Sequence, residues 1–178
     1  MRRNEIYRTV VAAVSLALCY VLPFLTGQIP EIGAMLCPMH IPVLLCGYIA
    51  GRRWGLAVGF CAPLLRALTL GMPPLFPTAI CMALELAVYG YVSGLLHRIF
   101  PMRGAYIYLS LVISMILGRL FWGAAMFLLL FASGGTFTFT AFIAGALTGA
   151  LPGIVIQIVL VPPLVLILER SALKRYVL

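Results

Sequence analysis

Acidic residues are scarce in this sequence, and the low fraction of charged residues excludes most water-soluble folds. The 178 residues include four Asp and Glu, twelve Lys and Arg and two His, so 9% of the chain is charged while 64% is hydrophobic. A soluble domain of this length needs a polar surface that such a composition does not provide. The composition therefore predicts an integral membrane protein whose outer surface is covered by membrane lipid.

The sequence also lacks the motifs with which proteins use nucleotides or transfer chemical groups. It contains no phosphate-binding loop, no glycine-rich dinucleotide motif and no serine elbow. The five cysteines form no Cys-x-x-Cys pair, and Cys37 with His40 lacks the further ligands of a zinc site. We expect no enzyme activity, no cofactor and no metal. The dispersed basic residues also argue against nucleic-acid binding.

The long apolar runs predict transmembrane helices. In hydrocarbon every backbone amide needs a partner within the protein, and the runs lack the alternation of barrel strands. The expected fold is an all-α bundle of six transmembrane helices that forms a single domain over residues 1–178. Breaks in apolarity place the spans near residues 5–22, 39–51, 55–70, 78–97, 104–132 and 141–170. The second and third are short for a bilayer of about 30 Å.

The positive charges predict how the bundle is oriented. Ten of the twelve basic residues lie near the chain ends or in the breaks after the second and fourth spans, and the other three connections contain no Lys or Arg. Cytoplasmic segments are enriched in Lys and Arg, so both termini are expected in the cytoplasm. The ten residues are Arg2, Arg3, Arg8, Arg52, Arg53, Arg98, Arg103, Arg170, Lys174 and Arg175.

Three charged residues fall inside predicted spans, where ionisable groups are energetically unfavourable and usually have a function. They are Arg66, Glu85 and Arg119. At 1.5 Å per helical residue, Arg66 and Arg119 lie ~18 Å and ~22 Å from the cytoplasmic ends of their spans, and Glu85 lies ~12 Å below the outer end. These depths predict that all three share one layer in the outer half of the bilayer.

Two interpretations of this layer are open. Tyr89 shares a helical face with Glu85, and Trp122 shares one with Arg119, a combination typical of a small-molecule pocket that His40 would line from the outer mouth. Alternatively, Glu85 forms a structural salt bridge with one arginine, and His40 is an interfacial histidine without a special task. In both cases one arginine lacks an acidic partner, and an anionic ligand such as a carboxylate would neutralise it.

Other features bear on lids and helix contacts. The connection from Pro23 to Pro38 is the longest on the outer side and suits a lid over a site, with a plain irregular loop as the alternative. Gln157 falls deep in the sixth predicted span, so we leave it out of the site. Prolines in the sixth span predict a kink or an open backbone there. Small residues permit close helix approach at Ala13 and Ala17 and at Gly145, Gly149 and Gly153.

The whole chain resembles the substrate-binding S components of energy-coupling factor (ECF) transporters, which import vitamins into prokaryotic cells. The resemblance implies an outward-facing pocket built from the first outer loop and the later helices. It also implies docking onto a transmembrane T component driven by two cytoplasmic ATPases, in a prokaryotic plasma membrane. It rests on size, six spans, the loop with Gly27, Pro30, Glu31 and Gly33, and the stretches Pro38-Met39-His40-Ile41-Pro42-Val43, Gly71-Met72-Pro73-Pro74-Leu75-Phe76-Pro77-Thr78 and Pro152-Gly153-Ile154.

The resemblance gives roles to particular residues and leaves other functions to be weighed. Members of the family dock through an Ala-x-x-x-Ala strip on the first helix, which Ala13 and Ala17 match. A pantothenate-like carboxylate suits the predicted layer of charges better than cationic thiamine. A stand-alone secondary transporter is the alternative, although such proteins usually contain two matching halves and this sequence shows no repeat. An intramembrane enzyme is a further alternative, and it would need a nucleophile with a base or a metal cluster.

Overall fold

The chain folds into a bundle of α-helices. The computed structural model describes residues 2–26, 36–100, 104–136, 138–145 and 149–177, and all regular structure within these ranges is helical. The helices are α1 (Arg2–Val21), α2 (His40–Ala50), α3 (Arg52–Leu70), α4 (Ile80–Ile99), α5 (Gly104–Ala132), α6 (Phe139–Ile143) and α7 (Leu151–Val177). A short 3₁₀ segment follows α1, and a π-helical turn precedes α4.

Four helices in the described part of the chain are long and apolar enough to cross a membrane. They lie in the stretches Asn4–Phe24, Leu75–Ile99, Gly104–Ala132 and Leu151–Leu168. The apolar helix α2 has 11 residues, a length of ~16 Å, about half the thickness of the hydrocarbon core. The all-helical fold and its membrane character are thus confirmed. The count of six spans and the cytoplasmic location of both termini stay predictions.

The sixth predicted span begins too early, because the stretch 141–170 does not form one helix. The short helix α6 is capped by Thr138, whose hydroxyl accepts the N–H of Ala141 at 3.2 Å. The long helix α7 starts at Leu151, with Pro152 in its first turn, where a missing N–H breaks no helical bond. The predicted glycine strip is therefore not one helix face, since Gly145 and Gly149 precede α7. Further along, α7 continues through its two internal prolines.

Helices α2, α3 and α4 pack backbone to backbone along a line of glycines. Gly90 of α4 faces Gly55 of α3, and a Cβ atom at either position would overlap the carbonyl group of the other. A Cβ atom at Gly94 would lie 2.6 Å from the carbonyl oxygen of Gly47 in α2. Side chains larger than hydrogen would therefore push these helices apart. We call Gly47, Gly55, Gly59, Gly90 and Gly94 the glycine seam.

Helix α2 lies at the centre of the hydrophobic core. Val43 and Leu44 of α2 are fully buried, as are Leu111 of α5 and Val161 and Val165 of α7, and all belong to one cluster. Because α1, α3, α4 and α7 all contact α2, this short helix is enclosed by protein on most of its surface. The polar residue at its first position, His40, is thereby carried into the interior.

Candidate functional site

A buried ion pair joins α4 to α5. Arg119 Nη1 lies 3.1 Å from Glu85 Oε1, and the two side chains are 13% and 2% exposed. An isolated charge in an apolar interior is strongly unfavourable, whereas a close, hydrogen-bonded pair is tolerated. The salt bridge that the sequence left as one of two interpretations is therefore present, and Arg119 is the arginine that forms it.

His40 belongs to the same cluster. Its Nε2 lies 3.4 Å from Glu85 Oε1, and its ring meets the ring of Tyr89 edge-on with 5.1 Å between centroids. If Nε2 carries the proton it donates to the carboxylate, which leaves Nδ1 as an acceptor. Nδ1 is buried and has no hydrogen-bond partner among the described residues. His40 is 2% exposed, so in the structure it lies inside the protein and not at an open mouth.

Cys37 extends the cluster in a way that the sequence did not predict. Arg119 Nη2 donates to Cys37 Sγ over 3.6 Å. The backbone of Cys37 adopts φ 48°, a left-handed conformation that is uncommon for residues other than glycine. The N–H of His40 donates to the Cys37 carbonyl at 3.1 Å, which closes the turn into α2. The Cys37 side chain thus contacts the guanidinium of Arg119.

A glycine on the facing helix leaves room for the Tyr89 ring beside the ion pair. The Tyr89 side chain is fully buried. A Cβ atom at Gly118 would lie 3.1 Å from the Tyr89 ring, so the absence of a side chain there gives the ring its place next to Arg119. The predicted site residues His40, Glu85, Tyr89 and Arg119 are therefore assembled by three different helices, and we call them, with Cys37, the polar cluster.

Arg66 lies apart from the polar cluster. Its Nη1 donates to the carbonyl of Tyr20 at the end of α1, and its guanidinium carbon lies 5.8 Å and 5.4 Å from the ring centroids of Tyr20 and Phe24. These cation–π contacts stabilise a cation that is 3% exposed. The predicted layer of three charges is thus divided between two places. The predicted lid residues Gly27, Pro30, Glu31 and Gly33 lie outside the described residues.

Trp122 stands one helical turn beyond Arg119 and contacts α6. Its ring stacks on Phe142, with 6.3 Å between centroids and an interplanar angle of 28°. Gly145 and Gly123 make this possible, because a Cβ atom at Gly145 would lie 2.7 Å from the Trp122 ring and one at Gly123 would overlap Phe142. The structure therefore places Trp122 in an aromatic group with Phe142, one helical turn from Arg119.

Gln157 of α7 is a buried polar residue outside the predicted site. It is 1% exposed, and neither its amide nitrogen nor its amide oxygen has a hydrogen-bond partner in the described part of the chain. The predicted span put Gln157 far below the outer surface, but α7 begins at Leu151. Only six residues then separate Gln157 from the start of its helix. If the helix had been predicted to start at Leu151, Gln157 would have been counted as close to the outer surface.

The predicted docking residues lie on the side of α1 that faces away from the bundle. Ala13 and Ala17 are exposed, whereas Ala12, Ser15 and Cys19 of the same helix are buried against the core. The strip of small side chains is therefore exposed on the surface of the described bundle.

Comparison with known families connects this arrangement to a function. Residues 8–165 match the family described as ECF transporter, substrate-specific component. No curated protein and no solved structure matches the chain. The matched segment contains the whole polar cluster, Arg66, Gln157 and the α1 strip. ECF substrate-specific components bind small substrates in the membrane and work with a T component and ATPases. The chain belongs to this family, and it is a membrane-embedded, substrate-binding component of an ECF transporter.

Proposed function

We propose that this component captures a small vitamin or vitamin precursor with an anionic group, such as pantothenate, from outside the cell. The substrate then passes inward through a T component powered by two cytoplasmic ATPases. The observation that carries the proposal is the family match over residues 8–165, together with a buried polar cluster at the start of α2. A small polar solute needs such a cluster to replace its water of hydration.

The proposal includes six membrane passages with both termini in the cytoplasm of a prokaryotic cell. It is supported by the placement of the ten basic residues, because helix reversals after α2 and α4 then lie on the same side as the termini. In this orientation α2 runs from the outer side inward. His40, its first residue, then marks the outer end of the polar cluster, on the side from which the substrate arrives.

The polar cluster retains hydrogen-bonding capacity after its internal contacts are made. Arg119 uses Nη1 for Glu85 and Nη2 for Cys37, while its Nε is buried without a partner among the described residues. His40 Nδ1 is likewise buried without a hydrogen-bond partner among the described residues. Unsatisfied buried polar groups are rare in native proteins and call for a partner. A bound substrate with acceptor atoms would supply one.

The charge balance favours an anionic substrate. Glu85 and Arg119 neutralise one another, which leaves the buried cation Arg66 as the excess charge of the three. Within the described ranges its contacts are a carbonyl group and two aromatic rings, none of which carries a full negative charge. A ligand carboxylate directed to Arg66 or to the remaining edge of Arg119 would balance it, since guanidinium groups bind carboxylates well.

The test is a pair of ligands that differ in one charge. Pantothenate and panthenol, its neutral alcohol analogue, are titrated into the purified protein by calorimetry, with cationic thiamine as a third ligand. We expect pantothenate to bind and panthenol and thiamine to bind far more weakly. Replacing the arginine that meets the carboxylate by alanine should cost about 2–5 kcal/mol, roughly 30-fold or more in Kd, and lysine should restore part of it.

The control for the arginine variants is Arg8→Ala, because Arg8 lies on the exposed side of α1 in a solvent-accessible pair with Glu5. It should bind pantothenate with wild-type affinity. The anionic-ligand proposal is wrong if Arg66→Ala and Arg119→Ala both do so too, or if mass spectrometry of the compound released from the purified protein identifies a cation. Co-purification of a T component and ATPases separates the proposal from a stand-alone secondary transporter, which would be isolated without them.

A further inference from the structure

The side-chain amide of Gln157 is buried with both of its polar atoms unpaired among the described residues. This condition is unusual, because an amide in an apolar environment without hydrogen bonds carries a large free-energy penalty. Among the described residues, the other unpaired buried side-chain atoms belong to His40, Tyr89 and Arg119 of the polar cluster, and buried polar side chains elsewhere are paired. The Tyr48 hydroxyl, for example, lies 2.8 Å from the hydroxyl oxygen of Ser110. Gln157 therefore requires an explanation of its own.

The packing of α7 against α2 and the proposed topology together suggest a position for Gln157 at the level of the polar cluster. It shares one face of α7 with Val161 and Val165, four and eight residues further on, and that face belongs to the core around α2. Gln157 lies ~9 Å along α7 from the first residue of the helix, and Glu85 lies ~8 Å along α4 from the first residue of that helix. In the proposed topology of six passages both helices start at the outer side, which would bring the two side chains to similar depths.

We propose that Gln157 is a substrate-recognition residue whose amide pairs with an adjacent hydrogen-bond donor and acceptor on the ligand. The N–H and C=O of an amide, a lactam or a ureide group provide this pair. The inference rests on the proposed function and deepens it, because it specifies the uncharged part of the substrate. The carboxylate would be met by an arginine, and the amide-type group by Gln157.

A glutamine is suited to this task because its side chain offers a donor and an acceptor side by side. A ligand with the complementary pair forms two hydrogen bonds with it, and a ligand without one leaves the buried amide unpaired. Rejection of the second kind of ligand is strong, since unpaired buried polar groups are penalised more than a missing apolar contact. The residue would thus select among small anions that share a carboxylate.

The test compares Gln157→Met with Tyr48→Phe in full-length protein reconstituted in nanodiscs and freed of small molecules. Methionine keeps the length and flexibility of the side chain but removes both polar atoms. We expect Gln157→Met to unfold at the wild-type temperature or above it, because an unpaired polar group has been removed. Tyr48→Phe, which breaks the paired hydroxyl contact with Ser110, should unfold at a lower temperature.

The same proteins are then tested with individual vitamins. Pantothenate and biotin are carboxylates that also carry an amide or a ureide group, whereas nicotinate and pyridoxal phosphate are anions without one. A compound of the first kind should raise the unfolding temperature of the wild type and of Tyr48→Phe. Its affinity for Gln157→Met should fall at least tenfold.

Three results would overturn the inference. If Gln157→Met unfolds below the wild type, the amide has a structural partner such as a buried water molecule. If it binds the stabilising compound with wild-type affinity, Gln157 does not contact the ligand. If only nicotinate or pyridoxal phosphate stabilises the wild type, the amide-bearing class is wrong while the proposed vitamin import stands. Absence of any stabilising compound would instead contradict the proposed vitamin substrate itself.

Discussion

Removing the negative charge of Glu85 tests the ion pair on which the polar cluster depends. Glu85→Gln preserves the shape of the side chain and leaves Arg119 as an uncompensated cation. At the observed separation of 3.1 Å, two unit charges attract by about 5 kcal/mol for an effective dielectric constant near 20. Breaking one partner of a buried pair typically costs about 3–5 kcal/mol. We therefore expect Glu85→Gln to lower the free energy of unfolding by about 3–5 kcal/mol.

The assay is denaturant-induced unfolding of ligand-free protein in detergent micelles. The double variant Glu85→Gln with Arg119→Met should recover much of the lost stability, because no unpaired charge remains in the interior. Glu5→Gln is the matched control. The pair of Glu5 with Arg8 has a similar separation of 3.5 Å but side chains that are 63% and 50% exposed, so its loss should change stability by less than ~1 kcal/mol.

Two results would refute this reasoning. Glu85→Gln with the stability of the wild type would show that the buried charge of Arg119 is balanced by something other than Glu85. A double variant as unstable as the single one would show that the two side chains are not energetically coupled.

Three further predictions concern docking, orientation and packing. Replacing Ala13 and Ala17 by leucine should weaken assembly with the T component in pull-down experiments and leave ligand binding intact, and lost binding in the isolated subunit would contradict this assignment. A cysteine at Arg52 in a cysteine-free protein should react with a membrane-impermeant reagent in inside-out vesicles but not in intact cells. Gly90→Ala should destabilise the protein by about 1–3 kcal/mol in an unfolding titration, because its methyl group would overlap the facing backbone. Gly104→Ala, where nothing lies within 4 Å, should not.

The helices could be predicted from the sequence because apolar length and its interruptions are local properties. The main error concerns the segment before α7, where a run of Ala, Gly and Thr is apolar enough to look like part of a span. Pro152 marks the actual start, since its ring suits the first turn of a helix. Hydropathy alone does not distinguish a proline that begins a helix from one that kinks it.

The sequence predicted that Glu85 and Arg119 lie at a similar depth, and their ion pair agrees with this, but it did not predict the direction of each side chain around its helix axis. Counting residues placed Arg66, Glu85 and Arg119 in a common layer, because each residue of a helix advances 1.5 Å. Which of them meet depends on helix rotation and neighbours, which a single sequence does not specify. Glu85 and Arg119 lie on helices that pack together, whereas Arg66 points to Tyr20 of α1. Gln157 was missed because its depth was counted from the wrong helix start.

The glycine seam has a consequence for how the protein can move. Helices whose backbones touch cannot slide past one another without a collision, so α2, α3 and α4 should behave as one rigid body. His40, Glu85 and Tyr89 belong to that body, while Arg119 and Gln157 are carried by α5 and α7. We expect shape changes that accompany loading and release of a solute to be displacements of α5–α7 against a fixed three-helix base. The Glu85–Arg119 ion pair joins the three-helix base to α5. It would hold the stationary and the moving helices together.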